Sequence, residues 1–290
     1  METIYTVEWM KQVARQARAE GRPLGFVPTM GALHEGHLSL IRAAQQRCSP
    51  VVVSIFVNPA QFGPSEDLGK YPRQMEADRA ALEELRVDYL LAPTAKEMYP
   101  DGFRTYVQVE GLSERLEGKS RPGHFRGVST VVLKLFGLVQ PLYAYFGRKD
   151  AQQARIIRQM VTDLNLDTQV LICPTVREED GLAMSSRNAY LRPEERRAAT
   201  ALYRALAAAR KEILAGERDA MRLASVMHGV LSAEKVLSVD YAEIVDADTF
   251  EQVTRLHRAC LAVLAAFVGK TRLIDNLAIE EQDGAVVVTL

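Results

Sequence analysis

The sequence of 290 residues predicts an α/β fold, and three observations support that prediction. Short apolar runs alternate with helical patterns from Leu24 to Val176, which is typical of βαβ units and a parallel sheet. The run from Val51 to Val57 is β-branched and nearly all apolar, as expected for a strand covered on both faces. Polar loops containing glycine or proline follow the strands, as at the ligand-binding edge of such sheets. We therefore expect a Rossmann-like N-terminal domain (residues 1-176) and a smaller α+β C-terminal domain (177-290).

The individual elements follow from hydrophobic periodicity, taken in chain order. An amphipathic helical pattern covers Met1 to Gly21. In the N-terminal domain the predicted strands are Leu24 to Val27, Val51 to Val57, Val87 to Ala92, Tyr143 to Phe146 and Thr168 to Ile172, and the predicted helices begin near His37, Val128 and Ile156. In the C-terminal domain the predicted helices are Glu194 to Leu214 and Asp219 to Leu231, and the strands are Ser238 to Val245, Leu261 to Val268 and Leu273 to Ile279. The polar loop from Arg177 to Asn188 is expected to be the hinge between the domains.

Composition and charge exclude several classes of protein. A hydrophobic content of 48% with 25% charged residues is ordinary for a soluble globular protein. The net charge of −1 gives no electrostatic footprint for nucleic acid, so we expect no nucleic-acid partner. The longest apolar run, Ala259 to Val268, is too short to span a bilayer, and the N-terminus lacks the apolar core of a signal peptide. Three cysteines far apart in sequence suit a reducing compartment, so we expect a cytoplasmic protein.

The segment from Pro28 to His37 has two histidines and two glycines where a strand turns into a helix. A helix N-terminus offers unpaired backbone N–H groups and a partial positive charge, both of which stabilise an anion. Gly36 allows a ligand to approach the backbone closely, and His34 and His37 add imidazole donors on one helical face. The pattern predicts a phosphate-binding site.

Two simpler interpretations of this histidine pair are a surface pair and half of a zinc site. The zinc interpretation is weaker, because His124, His228 and His257 are scattered and no clustered cysteines lie near them. Phosphate binding is therefore the interpretation that we favour.

Several polar residues after the other strands are candidates for the same chemistry. Lys149 follows a strand end and can neutralise a phosphate oxygen, although a solvated loop lysine is the alternative. Met184 to Asn188 supplies two hydroxyls and a cation that can clamp a triphosphate. Gln61 and Gln153 suit recognition of a small hydroxylated acid, or are surface residues, and His124 is a capping or substrate-facing residue.

The sequence contains no nucleophile elbow of the G-x-S-x-G type and no Walker-type phosphate loop. Their absence disfavours covalent catalysis and the usual kinase chemistry. Nucleotidyl transfer that depends on positioning and charge is the remaining interpretation.

Two motifs resemble those of the nucleotidyltransferase superfamily. His34-Glu35-Gly36-His37 resembles its H-x-G-H signature, and Met184-Ser185-Ser186-Arg187 resembles its K-M-S-K-S-like loop. Five motifs in order are similar to those of the pantothenate synthetase family: Pro28 to His37, Phe56 to Phe62, Tyr71 to Arg73, Phe146 to Asp150 and Gly181 to Asn188.

That resemblance implies an ATP-dependent ligase that joins pantoate to β-alanine through an enzyme-bound pantoyl adenylate, with release of pyrophosphate and AMP. It also implies Mg²⁺ and a homodimer formed through the N-terminal domain. It is compatible with the residues, because a carboxylate that is already a nucleophile needs only charge stabilisation at phosphorus.

The resemblance also implies roles for individual residues. His37 would be the proton donor, assisted by His34, Lys149 and Arg187 in catalysis. Gln61 would contact pantoate and later β-alanine, and Gln153 would contact pantoate. The implied ATP-binding residues are Met30, Gly31, Ala32, Leu33, His34, Glu35, Gly36, His37, Gly147, Arg148, Lys149, Asp150, Val176, Met184, Ser185, Ser186 and Arg187.

Three positions depart from the family pattern. Arg148 stands where an acid is common, Ala151 where a bulkier residue is common, and Ala77 where some members add a second acid beside the one matched by Asp78. The last departure leaves the protein ligands of Mg²⁺ unassigned.

Two other functions stay open at this level. One is an adenylyltransferase that moves AMP onto a phosphate or alcohol, although few basic residues surround Gln61 to bind such an acceptor. The other is a nucleic-acid-binding module, which the near-neutral charge disfavours.

Overall fold

The computed structural model of the protein describes residues 1–64, 66–282 and 285–290. The chain divides into two compact units. Unit 1 contains Met1–Arg148 and Gln152–Pro174, and unit 2 contains Lys149–Ala151 and Thr175–Leu290. Three residues in the middle of the chain thus belong with the C-terminal unit.

Unit 1 has a six-stranded sheet in which every neighbouring pair is parallel, in the order β1-β4-β3-β2-β5-β6. Its strands are β1 (Glu2–Ile4), β2 (Gly25–Thr29), β3 (Val51–Ile55), β4 (Tyr89–Leu91), β5 (Tyr143–Gly147) and β6 (Gln169–Cys173). Its helices are α1 (Val7–Ala19), α2 (Glu35–Gln45), α3 (Met75–Glu84), α4 (Ala95–Met98), α5 (Glu117–Ser120) and α6 (His124–Val139), and α7 runs over Ala151–Asp163. The α/β fold with a Rossmann-like parallel sheet is confirmed.

Helices cover both faces of this sheet. Val27 on β2 packs in one cluster with Ile41 of α2, whereas its neighbour Phe26 meets Phe136 of α6 edge to face. Successive strand residues point to opposite faces, so α2 and α6 lie on opposite sides of β2. Burial of such side chains contributes roughly 2 kcal/mol each to folding.

The strand order places the histidine loop at a favourable position for ligand binding. The order reverses between β2 and β5, which are neighbours inside the sheet. In parallel sheets of this kind, ligands bind outside the carboxyl ends of the strands at such a reversal. Met30 follows the carboxyl end of β2, and Gly147 ends β5.

Unit 2 has a four-stranded antiparallel sheet in the order β10-β9-β8-β7, with three helices. Its elements are α8 (Pro193–Ala199), α9 (Ala201–Leu214), α10 (Ala220–Ser232), β7 (Leu237–Asp246), β8 (Ala259–Val268), β9 (Thr271–Gln282) and β10 (Ala285–Thr289). Small residues such as Ala205 and Ala209 of α9 are fully buried in its core with Leu264 of β8. The smaller α+β C-terminal segment is thus present as expected.

The structure corrects several predicted elements. Strands β1 and β10 were not predicted, and the strand expected to reach Val57 ends at Ile55. The single helix expected from Glu194 is two helices separated at Thr200. The loop from Arg177 to Asn188, expected as a hinge, lies inside unit 2. Among the described residues, no helix is both long and apolar enough to cross a membrane.

Candidate active site

The loop between β2 and α2 makes a tight turn through two left-handed residues. Gly31 has φ +82° and Ala32 has φ +50°. Thr29, at the end of β2, anchors the turn, because its hydroxyl donates to the carbonyl of Ser54 at 2.7 Å and accepts from the amide of Gly31 at 3.1 Å. A left-handed conformation is unfavourable for alanine, so other contacts must hold Ala32 in place.

Asp78 of α3 supplies those contacts. Its side chain is buried, and its two oxygens accept from the amides of Ala32 at 2.9 Å and Leu33 at 2.8 Å. A Cβ atom on Gly31 would lie 2.9 Å from Asp78 Oδ2 and 3.0 Å from Ile55 Cγ2. Glycine at position 31 is therefore required both by its dihedral angle and by the close approach of this carboxylate.

The two histidines form the N-terminal cap of α2. His34 is the N-cap residue, and its Nδ1 accepts from the amide of Gly36 at 3.2 Å. Nδ1 of His37 accepts from the amide of His34 at 3.3 Å, and the two ring centroids are 4.2 Å apart. Because Nδ1 is the acceptor in both neutral rings, each ring carries its proton on Nε2. Each ring is therefore in the tautomer whose Nε2–H can donate to an anion.

This arrangement changes how an anion would be bound at α2. The sequence predicted unpaired backbone amides at the helix start, but the amide of Gly36 donates to Nδ1 of His34. The amide of His37 donates to the carbonyl of His34 at 2.8 Å. For the amides of Gly36 and His37, in the first turn of α2, the prediction is wrong, because acceptors within the chain already occupy them. Imidazole N–H groups and the helix dipole are two features of this helix start that favour an anion.

Gln61 lies beside this loop in unit 1. It ends a short 3₁₀ helix, Pro59–Gln61, and its side-chain amide donates to Met30 Sδ at 3.1 Å. Its Oε1 accepts from Asn58 Nδ2 at 3.0 Å. Asn58 is itself fixed, since its Nδ2 also donates to the carbonyl of Gly127 and its Oδ1 accepts from the hydroxyl of Tyr99 at 2.8 Å. The structure thus places Gln61 next to Met30 of the histidine loop.

His124 holds the backbone of Gln61. It is the first residue of α6, with Gly123 as the N-cap, so the capping role considered for it is wrong. Its Nε2 accepts from Arg121 at 3.0 Å, so Nδ1 carries the proton and donates to the carbonyl of Gln61 at 2.9 Å. Arg121 also makes two 2.7 Å hydrogen bonds to Glu66.

The environment keeps this imidazole neutral. Burial, with a smaller effect from the positive charge of Arg121, lowers the pKa of His124 from its ordinary 6.5 to about 4. Burial alone would raise the pKa of Glu66, but hydrogen bonds from Arg121 bring it below its ordinary value. His124 is thus a fixed neutral donor near physiological pH and a poor candidate for a proton-transfer residue.

Lys149 lies in a 3₁₀ turn, Arg148–Asp150, directly after β5. Its side chain is four-fifths buried, and its Nζ is 3.7 Å from Asp150 Oδ1. Asn276 of β9 donates from Nδ2 to the backbone carbonyl of Lys149 at 2.9 Å. This hydrogen bond is one of the contacts that join Lys149 to unit 2.

The loop that carries Arg187 is also fixed within unit 2. Arg177 and Ala183 form an antiparallel bridge, and the amide of Met184 donates to the carbonyl of Val176 at 3.0 Å. Ser185 caps the 3₁₀ helix Ser186–Tyr190 by accepting from the amide of Arg187 at 3.2 Å. The loop is therefore a folded hairpin with a capped end.

A buried ion pair attaches this hairpin to β9. Arg177 donates to the two carboxylate oxygens of Asp275 at 2.6 and 3.0 Å, and also to the carbonyl of Gly181 at 3.0 Å. The guanidinium lies 5.2 Å from the ring centroid of Tyr203. Complete burial raises the pKa of Asp275, and the guanidinium of Arg177 opposes that rise.

The remaining predicted site residues are placed as follows. Glu35 is exposed and pairs with Arg42 on α2. Gln153 is half-buried in the first turn of α7, whereas its neighbour Gln152 is buried and donates to the carbonyls of Leu112 and Arg115. The other members of the predicted ATP site are partly buried, namely Met30, Leu33, Gly36, Gly147, Arg148, Asp150, Val176, Met184, Ser185, Ser186 and Arg187.

Sequence reasoning missed three polar residues that fix the candidate loops within their own units. Asn58, Asp275 and Asn276 are all buried, and each is hydrogen-bonded to a candidate residue or to its loop. The only signal in the sequence was polar residues inside or just after apolar strand patterns. Asp78 was noted for possible metal binding, and the structure places it on the loop amides.

Comparisons with known proteins relate the whole chain to one family. Residues 2–278 match the family model described as Pantoate-beta-alanine ligase. The chain is 52% identical over 280 residues to the pantothenate synthetase of Caldicellulosiruptor bescii, covering 97% of this chain and 99% of that protein. It is 54% identical over 276 residues to the pantothenate synthetase of Thermotoga neapolitana, covering 95% of this chain and 99% of the relative.

Solved structures of similar proteins have the same fold. The crystal structure of pantothenate synthetase from Thermus thermophilus is 47% identical, with a TM-score of 0.91, and the match covers 96% of this chain and 99% of that one. The pantoate-β-alanine ligase of Francisella tularensis, solved in complex with β,γ-ATP and β-alanine, is 36% identical, with a TM-score of 0.77 and coverage of 95% and 97%. The chain belongs to the pantoate-β-alanine ligase family.

Proposed function

We propose that the protein condenses (R)-pantoate with β-alanine at the expense of ATP, giving pantothenate, AMP and pyrophosphate. The observation that carries this proposal is family membership over residues 2–278, together with the capped histidine pair at the start of α2. The Francisella tularensis relative binds an ATP species and β-alanine, which supports the same substrates here.

The first step forms pantoyl adenylate. A carboxylate oxygen of pantoate attacks the α-phosphorus of ATP, and the bond from that phosphorus to the bridging oxygen breaks to release pyrophosphate. No base is needed, because the carboxylate is already ionised. Catalysis then depends on stabilising negative charge at phosphorus and on the leaving group.

His34 and His37 serve this step as donors. The cap geometry makes Nδ1 an acceptor in both rings and leaves the proton on Nε2. We assign His37 as the main donor, through a hydrogen bond from Nε2–H to the leaving phosphate oxygens, and His34 as an assisting donor. The first turn of α2 adds the positive end of its dipole.

Lys149 and Arg187 supply permanent positive charge. Lys149 has a largely buried side chain, where its charge is less screened than in water. Arg187 lies at the capped end of the hairpin and can make two parallel hydrogen bonds to phosphate oxygens. We propose that the ATP-binding set also includes Met30 to His37, Gly147 to Asp150, Val176 and Met184 to Ser186.

The second step joins the two substrates. The amine of β-alanine attacks the acyl carbon of pantoyl adenylate, and the bond to the phosphate oxygen breaks to release AMP. We assign Gln61 to pantoate and then to β-alanine, and Gln153 to pantoate. Support for Gln61 comes from its position beside Met30 and its hydrogen bond with the buried side chain of Asn58.

We propose that Mg²⁺ enters with ATP and is held mainly by phosphates and water. Among the described residues no group of three or more histidine, cysteine or acidic side chains could hold a metal ion. Asp78 uses both of its oxygens on backbone amides, so its role is to shape the loop.

We propose that the two units contribute different groups to the reaction. Unit 1 carries the histidine loop and Gln61 and is proposed to bind nucleotide and pantoate, while unit 2, as a lid domain, contributes Lys149 and Arg187.

A homodimer formed through the N-terminal domain is proposed from the family resemblance, and equilibrium sedimentation would measure it. Three free cysteines support a cytoplasmic location. We propose no nucleic-acid or membrane partner.

A product assay tests this function. The protein is mixed with ATP, Mg²⁺ and pantoate, with and without β-alanine, and AMP, pyrophosphate and pantothenate are measured. The proposal requires AMP and pantothenate in equal amounts over many turnovers only when β-alanine is present. AMP transfer to alcohol or phosphate acceptors in place of pantothenate formation would favour an adenylyltransferase.

A further inference from the structure

Lys149 belongs to unit 2 although the elements on both sides of it belong to unit 1. Residues Lys149–Ala151 group with the C-terminal unit, while β5 and most of α7 group with the parallel sheet. The hydrogen bond from Asn276 Nδ2 to the carbonyl of Lys149, at 2.9 Å, is a contact that spans 127 positions of sequence. Asn276 is buried, so this hydrogen bond is shielded from water.

The residue before Asn276 holds the hairpin that carries Arg187. Asp275 is also buried and receives two hydrogen bonds from Arg177. Arg177 begins the hairpin that carries Met184 to Arg187, through its bridge to Ala183. The backbone amide of Asn276 donates to Asp275 Oδ1 at 2.8 Å, which links the two positions directly.

We infer that Asn276 is a positioning residue for Lys149, and that the Asp275-Asn276 pair on β9 holds Lys149 and the Arg187 hairpin in one fixed arrangement. This inference rests on the proposed function, because it assigns both segments to the same triphosphate. Asn276 acts on the backbone of Lys149 and not on substrate. It therefore determines where the ammonium group can reach.

The physical basis is the small tolerance of phosphoryl chemistry for misplaced charge. A misplacement of about 1 Å far from the reacting atoms can lower a rate roughly 10²-fold. Lysine has a long flexible stem, so the position of its backbone is the main constraint that the fold can apply. Removing the side-chain donor of Asn276 frees that backbone while leaving the Asp275–Arg177 pair in place.

The test uses Asn276→Leu, which has a similar branched shape but no donor. An aspartate would add a second buried carboxylate beside Asp275 and would confuse the result. The rate of pantoyl adenylate formation is measured by rapid quench, and the rate of β-alanine attack is measured separately on chemically prepared pantoyl adenylate. We expect adenylate formation to fall at least 10-fold and the second rate to stay within about 2-fold.

The decisive comparison adds Lys149→Ala. If Asn276 acts through Lys149, Asn276→Leu lowers adenylation in the wild-type background and causes little further loss in Lys149→Ala protein. An equal loss in both backgrounds, or an equal loss in both half-reactions, would overturn the inference. An unchanged adenylation rate would also overturn it.

Two controls keep these outcomes interpretable. The first control is Asp240→Asn, which removes the ion pair between Asp240 Oδ2 and Arg272 Nη2, 2.7 Å apart, in the same sheet. This variant should leave both rates unchanged. If Asn276→Leu protein shows no cooperative thermal unfolding transition, it is not folded, and Asn276→Ala is measured in its place against the same criteria. Wild-type protein that makes no pantothenate would refute the proposed function instead, which separates the two failures.

Discussion

His34 and His37 each have two ring nitrogens with different tasks. Nδ1 closes the helix cap and Nε2 carries the proton, so each side chain has one nitrogen for folding and one for the proposed phosphate contact. The sequence predicted the donors from residue type and spacing. It could not predict the tautomer, because that depends on which backbone amides the rings meet.

The two nitrogens of His37 can be separated by substitution. In His37→Asn the amide oxygen can replace Nδ1 in the cap, but no donor remains near the position of Nε2. We expect its adenylation rate to fall on the order of 10²-fold with little loss of thermal stability. His37→Gln, whose amide nitrogen lies near the Nε2 position, should lose less. His228→Ala, an exposed histidine of α10, is the control, and rapid-quench rates close to wild type for His37→Asn would refute the assignment.

His124 makes the folded state sensitive to acid. Its pKa of about 4 lies below the ordinary 6.5, so the unfolded chain takes up the proton first as the pH falls. The contribution of neutral His124 to the free energy of unfolding is therefore fully present above about pH 6.5. It is lost as the pH falls toward 4, by up to about 3 kcal/mol. The groups that face this ring include Arg121, Glu66 and Glu117.

Urea unfolding of wild type and His124→Asn between pH 4.5 and 6.5 measures this effect. Glu66, whose pKa lies below its ordinary value of 4.5, is present in both proteins. The difference between the two curves therefore measures the contribution of His124. The wild type should lose stability more steeply than the variant as the pH falls. Parallel curves for the two proteins would show that His124 does not carry the pH dependence.

Among the elements, the turn from β2 into α2 depends on a helix far along the chain. Asp78 of α3 accepts from the amides of Ala32 and Leu33, and these contacts hold Ala32 in its left-handed conformation. The glycine and the proline in the loop predicted a turn at this place. The partner of the turn, 46 residues away from Ala32, could not be found from local pattern.

Asp78→Asn tests this support. An asparagine oxygen can accept from one amide, but its NH₂ group faces the other, so one buried donor loses its acceptor. The loss should be about 1–3 kcal/mol in the free energy of unfolding, with a higher KM for ATP. Glu76→Gln, the same chemical change at an exposed position of α3, should be neutral. An unchanged KM for ATP in Asp78→Asn would contradict the assigned role.

The elements that sequence reasoning missed have no local signal in the sequence. Strand β1 has three residues, which is too short for an alternating pattern, and its stability comes from parallel pairing with β4. The break at Thr200 between α8 and α9 has neither glycine nor proline to mark it. By contrast, β8 coincides with the apolar run noted in the sequence, because a buried central strand is apolar along its whole length.

For the molecule as a whole, periodicity predicted the α/β class and the smaller C-terminal α+β segment. It could not predict that Lys149 joins unit 2, since its neighbours in sequence belong to the parallel sheet. The pair of Arg177 with Asp275 spans 98 positions and is also invisible to local pattern. Motif order supplied what periodicity could not, and relatives about 50% identical over nearly the whole chain confirm the family.

Transfer of an oxygen atom from pantoate to AMP tests the central claim most directly. Pantoate labelled with ¹⁸O in its carboxylate is incubated with ATP, Mg²⁺, β-alanine and the protein, and AMP is analysed by mass spectrometry. In a pantoyl adenylate the attacking carboxylate oxygen bonds to phosphorus and leaves with AMP, so each AMP should gain one ¹⁸O atom. Unlabelled AMP formed together with pantothenate, or ADP and phosphate as the products, would contradict adenylate formation at this site.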